Sequence, residues 1–118
     1  MTHPLITRLS KLDAPDREVD GEIWRYLMSG EPRAVLHGPI PKLTASVDAV
    51  IALAERVLPG WYWGITQGDD GEDAVEFQGN VWPSIQPYPA ELEQYGYHKL
   101  PAIALLIALL RAKEGSKL

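Results

Sequence analysis

The stretch RVLPGWYWGI, residues 56–65, decides how the rest of the chain is read. Upstream of it, Val47, Val50, Ile51, Ala54, Val57 and Leu58 recur at the spacing of an amphipathic helix. Thr44 or Ser46 is placed to cap that helix, and Asp48 and Arg56 carry the charges that complement its dipole. Pro59-Gly60 stops it. Trp61, Trp63 and Ile65 then alternate with Tyr62, Gly64 and Thr66, a period of two that reads as a strand. The two tryptophans are either a stacking platform for a ligand or the inward row of a sheet. Burying a large side chain contributes about 1.5–3 kcal/mol, a large share of the roughly 5–15 kcal/mol that holds a domain together. Trp61 and Trp63 are therefore expected in the core, under the preceding helix.

Downstream, QGDDGED (67–73) supplies Asp70-Gly71 as a turn signal, and AVEFQG (74–79) alternates again, with Val75 and Phe77 on one side. Val81 and Trp82 begin a third strand, and Pro83, Pro87 and Pro89 forbid a central strand beyond them. One helical turn is expected at Ala90 to Gln94, within a tyrosine-rich and proline-rich loop that runs to His98. The run LPAIALLIALLRAK (100–113) has no polar residue from Leu100 to Leu110. It is shorter than the about 20 apolar residues a membrane span needs. A helix apolar all round is buried on more than one side. It is expected at the centre of the core, or as a contact between two copies of the chain.

Towards the N-terminus, Leu5, Leu9 and Leu12 mark a short amphipathic helix. Asp13-Ala14-Pro15-Asp16 reads as the start of a second, with Asp13 as its cap and Val19, Ile23, Tyr26 and Leu27 as its stripe. Ser29-Gly30 ends it. Pro32, Pro39 and Pro41 make residues 31–43 a connector with a short edge strand at Ala34 to His37. The sum is one α+β domain over residues 1–118: N-terminal helices and connector to 42, then a helix–hairpin–loop–helix core over 43–113. A small antiparallel sheet of two to four strands has helices packed on it.

At 118 residues with 46% hydrophobic and 23% charged content, such a domain needs no staple. The absence of cysteine removes disulfides, thiolate nucleophiles and cysteine-based metal sites. MTHPLITRLSKLDAPD has no apolar core of a secretion signal, so a cytoplasmic protein is expected. The net charge is −5, and its distribution is telling: no Lys or Arg lies between Val57 and His98, where Asp69, Asp70, Glu72, Asp73, Glu76, Glu91 and Glu93 cluster. That region repels phosphate backbones, so nucleic acid is not an expected partner. His3, His37 and His98 lack metal-ligand spacing, and His37 and His98 read as ordinary loop residues. GDDGED fails the calcium-loop pattern, since position 3 from Asp69 is Gly71 and position 6 is Ala74. No serine has a nucleophile-elbow context, and no glycine-rich phosphate loop is present. No cofactor is expected.

Three stretches, PDREVDGEIWRYL (15–27), LTASVDAVIALAERVLPGWYW (43–63) and LPAIALLIALLRAK (100–113), resemble a family of small bacteriophage and prophage proteins, the phage ABA sandwich domain family. The resemblance implies a three-layer α/β/α sandwich and a gene of phage origin, and it implies no activity. The segment from Gln86 to His98 is longer than the family's usual link. The expected function is that of a non-enzymatic accessory or protein-binding protein. Its contact surface would be Asp69, Asp70, Glu72 and Asp73 together with Trp82, Tyr88, Tyr95 and Tyr97. The alternatives are an anti-defence inhibitor whose acidic surface occupies the basic nucleic-acid groove of a host protein, and a small hydrolase with a carboxylate pair assembled from loops. No membrane partner is expected; the chain is a monomer or a homodimer through the 100–113 helix.

Overall fold

A computed structural model describes residues 3–33, 38–68 and 76–115. The expected edge strand at 34–37, the turn at 70–71, Val75 and the acidic residues Asp69, Asp70, Glu72 and Asp73 lie outside the described residues. The elements are α1 (Pro4–Ser10), α2 (Arg17–Leu27), α3 (Val47–Val57), β1 (Trp61–Gln67), β2 (Phe77–Pro83), a single 3₁₀ turn (Ala90–Leu92), β3 (Gln94–His98) and α4 (Pro101–Gly115). The strands pair antiparallel in the order β1-β2-β3, with Ile65 opposite Gly79 and Gly79 opposite Gly96. The α+β class and the antiparallel sheet with helices packed on it are as the sequence implies.

The apolar helix α4 is the centre of the molecule, with every residue from Ala102 to Leu110 buried. It packs against β2 and β3 on one side and against α1 and α3 on the other. The apolar side chains from Ala102 to Leu110 are thus buried within this one chain.

Helix and sheet meet backbone to backbone. A Cβ built on Gly79 would stand 2.5 Å from Leu105 Cα, and one on Gly96 would stand 2.2 Å from Ala104 O. Only glycine admits another backbone so closely. The two glycines are register partners, so they form one cross-strand slot in which Ala104, Leu105 and Ala108 of the helix rest.

Four expectations are corrected here. AVEFQG and Val81-Trp82 are not separate strands: Gly79-Asn80 is the middle of β2. The stretch QYGYH, expected as loop, is β3, an edge strand whose inward positions are Gly96 and His98. The layer order also differs. The sheet is an outer layer and α4 the middle one, with α1 and α3 beyond it and α2 packed on α1. Tyr62 and Tyr97, on the face away from α4, are each 54% exposed, so no helix covers them. Trp61 packs half-buried against the core as expected, whereas Trp63 is 39% exposed and lies outside the core cluster. Trp63 shares the inward parity of Trp61 and Ile65, on the strand that α4 touches least.

The cap of α2 is Asp16, three residues later than expected, accepting from the Glu18 and Val19 amides. Ser46 caps α3, accepting from the Ala49 amide. Thr44 has a different task. Its hydroxyl accepts from Asp16 N at 2.8 Å, and its amide donates to the Asp20 carboxylate at 2.7 Å. Asp20 is 1% exposed and also takes a 2.9 Å bond from Arg17, which in turn donates to the Ile40 and Pro41 carbonyls. This polar knot fixes the start of α2 to the approach to α3.

Two stability outcomes follow from these contacts. Gly79→Ala and Gly96→Ala should each lower stability by about 3 kcal/mol, the upper part of the range for overpacked cores. Gly30→Ala, whose Cβ would meet nothing within 4 Å, should be near neutral. Denaturant midpoints at unchanged m-value check both. Asp20→Ala leaves the Thr44 amide without its acceptor and should cost about 1–3 kcal/mol in the same measurement.

Candidate functional site

Alternation along the strands sends Trp61, Ile65, Gly79, Val81, Gly96 and His98 towards α4. The other parity sends Tyr62, Gly64 and Thr66 of β1, Gln78, Asn80 and Trp82 of β2, and Tyr95 and Tyr97 of β3 to the opposite, uncovered face. Tyr62 is the register partner of Trp82, and the two rings meet edge-on with centroids 5.9 Å apart. Gly64 makes room for the Asn80 side chain: a Cβ there would lie 2.9 Å from Asn80 Oδ1, and 3.5 Å, an ordinary contact, from the Trp82 ring. Tyr95 stands opposite Asn80 and Tyr97 opposite Gln78, so aromatic rings occupy both outer strands as well as the middle one.

One carboxylate organises the end of this face. Glu93 lies one residue before β3, with the outward parity of Tyr95 and Tyr97. Its Oε2 accepts from Asn80 Nδ2 at 3.3 Å and its Oε1 from the Tyr88 hydroxyl at 3.2 Å. Hydrogen bonding to the same carboxylate holds the Tyr95 phenol protonated above the ordinary tyrosine range, with partial desolvation adding to it. Desolvation is the main cause of a similar rise at Tyr88, and the Glu93 charge the next. A carboxylate has about four acceptor positions, so Glu93 has room for a further donor. Arg111 stands at the margin, donating to the Tyr95 carbonyl at 2.6 Å. This contact caps part of the edge of β3, where unpaired backbone groups would otherwise invite another strand.

Of the residues expected to contact a partner, Trp82, Tyr88, Tyr95 and Tyr97 are brought together here, around Glu93 and along the open face. Tyr62, Asn80 and Glu93 belong with them and were not singled out from the sequence. Tyr62 was legible as the residue facing away from Trp61 and Trp63. Its neighbours required the β2–β3 register, which the sequence did not reveal.

A second grouping has the residue types of a hydrolase site. A cleft of about 180 Å³ is lined by Ser10, Asp13, Glu76, Tyr97, His98 and Lys99, with Leu12 beside them. Ser10, Asp13, His98 and Lys99 there each have a structural partner. Ser10 donates to the Ile6 carbonyl at 2.9 Å, and Asp13 pairs with Lys99 at 3.0 Å. His98 is 5% exposed, not an ordinary loop histidine. Its Nδ1 accepts from the Leu100 amide at 2.9 Å, so Nε2 carries the proton and donates to the Leu12 carbonyl at 2.9 Å. Neither ring nitrogen is placed to take a proton from Ser10. Among the described residues no group of three or more His, Asp or Glu converges to hold a metal ion, and no helix is long and apolar enough to cross a membrane.

Comparison with protein-family models, with curated proteins and with solved structures finds no match for this chain.

The Glu93 cluster has a titration signature. Following each tyrosine ring by NMR through alkaline pH, Tyr88 and Tyr95 should ionise above the ordinary value of 10.0. Glu93→Gln removes the negative charge that opposes a phenolate, so both should fall. Tyr95 should fall further, because its main cause is the bond to Glu93, whereas burial at Tyr88 persists.

Proposed function

We propose that this protein is a non-enzymatic binding protein of the phage accessory type, cytoplasmic, that recognises a protein partner through the open aromatic face of its sheet. The observation that carries the reading is the one-sided covering of the sheet. Tyr62, Tyr95 and Tyr97 are 54%, 37% and 54% exposed on a face that no helix among the described residues covers. Tyrosine and tryptophan are the side chains most enriched at the centres of protein interfaces, because they bring large rigid area at low entropic cost. An open sheet face spanning three strands fits a macromolecular surface better than a small molecule, which favours a concave site. The phage origin rests on the resemblance of the three helix-bearing stretches alone.

The narrower reading, an inhibitor that occupies a basic nucleic-acid groove on a host protein, draws on the lack of Lys and Arg between Val57 and His98. The two readings differ in the steepness of salt dependence: an interface made of many exposed charge pairs, screened beyond about 8 Å at physiological salt, weakens more steeply than one anchored on aromatic rings.

Tagged protein is used to capture partners from host lysate, beside the double variant Tyr62→Ser/Tyr97→Ser and the helix-surface control Glu55→Ala. A partner retained by wild type and by the control, and lost from the double variant, is expected. When that partner is purified and mixed back, hydroxyl-radical footprinting should show protection of Tyr62, Tyr95 and Tyr97. Protection confined to the α1, α2 and α3 side would overturn the assignment of this face.

A further inference from the structure

The aromatic face carries a charge pattern that restricts what it accepts. Glu93 stands beside the Tyr62–Trp82 pair, one residue beyond the last β2–β3 register pair, Val81–Gln94. Glu76 precedes β2 with the same outward parity as Gln78 and Asn80, and it lines a cleft together with Tyr97. The face thus has a carboxylate at each end and π-faces between them. Two cations at its border are engaged, Arg111 with the Tyr95 carbonyl and Lys99 with Asp13. An electron-rich aromatic platform with carboxylates at its ends is complementary to positive charge. A guanidinium meets both elements at once: it is planar, stacks on rings, and presents a fork of donors to a carboxylate. The one acceptor position left on Glu93 by Asn80, Tyr88 and Tyr95 can take a single N–H of that fork.

We infer that the open face binds an arginine-bearing extended segment of a protein partner, with one guanidinium over the Tyr62–Trp82 pair and hydrogen-bonded to Glu93. A second cation of the same segment reaches Glu76. Residues 76 and 82 are six positions apart, which at about 3.3 Å per residue puts the two ends of the face roughly 20 Å apart. The fitting segment therefore has its cations about six residues apart when extended. This inference rests on the face being a protein-binding surface, as proposed above, and adds the chemistry of what it binds.

The probe is the peptide Ac-Arg-Gly-Ser-Gly-Ser-Gly-Arg-NH₂, titrated into ¹⁵N-labelled protein, beside the same peptide with citrulline in place of arginine and beside a neutral β-glucan oligosaccharide. The arginine peptide at low millimolar concentration should shift the Gly64 amide, the Asn80 side-chain amide and the Tyr95 and Tyr97 amides. The citrulline peptide and the oligosaccharide should not. Glu93→Gln should weaken the peptide by about tenfold, the loss expected for one charged hydrogen-bonding partner. Tyr62→Leu, which keeps apolar area but removes the π-face, should weaken it as well. Both variants are checked for an unchanged thermal midpoint, and a variant that fails this check is replaced by doubling the salt on the wild type, which should also weaken binding.

Equal response to citrulline, an unaffected Glu93→Gln, a response to the oligosaccharide alone, or no response of these signals would each overturn the inference. If a captured partner still protects Tyr62, Tyr95 and Tyr97 when the peptide fails, the face binds protein by other chemistry and only the arginine assignment falls. If that protection lies elsewhere, the surface assignment itself falls.

Discussion

The contact on which the rest of this structure depends is a helix backbone seated on a pair of glycines. Gly79 and Gly96 face each other across β2 and β3, and Ala104, Leu105 and Ala108 of α4 descend into the slot they leave. That depth lets one helix be enclosed completely, by strands below and by α1 and α3 above. An all-apolar helix such as LPAIALLIALL has no face to offer water. The fold is the solution that hides it inside a chain of 118 residues. Because the helices are gathered around α4 on one side, none is left to cover the other side of the sheet.

The same contact explains what the sequence revealed and what it concealed. The helix stops at Pro59-Gly60, the alternation of Trp61 to Ile65 and the apolar run after Pro101 are local signals, and each produced its element. β3 was hidden because its inward row is Gly96 and His98, neither of which looks like a core residue in QYGYH. The bulky partner expected opposite a strand's inward position is absent, since a helix backbone stands there instead. Gly79 concealed the continuity of β2 in the same way. A glycine inside a strand pattern also marks close approach by another backbone, and that was the signal available. The layer order was not legible, because the mixed row of Tyr62, Gly64 and Thr66 suits contact with a helix as well as contact with water.

Half of the candidate site follows from this one-sidedness. Trp82, Tyr95 and Tyr97 stood out as aromatic residues among prolines, but only the β2–β3 register places Asn80 and Glu93 beside them. Tyrosines dominate the face, with no exposed Leu, Ile or Val in its three strands among the described residues. A phenol is a large apolar ring with a polar tip. The face therefore tolerates water while unoccupied and still presents contact area. Glu93 adds a charge that draws one class of approaching group and repels its own sign.

The cleft beside Ser10 shows why residue types alone do not make chemistry. Serine, histidine and aspartate converge there, yet Ser10 bonds back to its own helix at the Ile6 carbonyl, and His98 and Asp13 serve the join between the N-terminal segment and the end of β3. His98 links the Leu12 carbonyl to the Leu100 amide, so its two nitrogens bridge the α1–α2 turn and the start of α4. Lys99 to Asp13 repeats the join one residue later. A catalytic base needs a nitrogen able to exchange its proton with a reacting group, and here both ring positions are held by backbone. Among the described residues no buried side-chain nitrogen or oxygen lacks a hydrogen-bond partner, so the interior holds its polar groups in fixed pairs. Capacity for new contacts lies on the surface, and on the sheet side it is concentrated where π-faces and an unsaturated carboxylate stand together. The open face asks nothing of the core except that α4 stay seated, which is the task the two glycines perform.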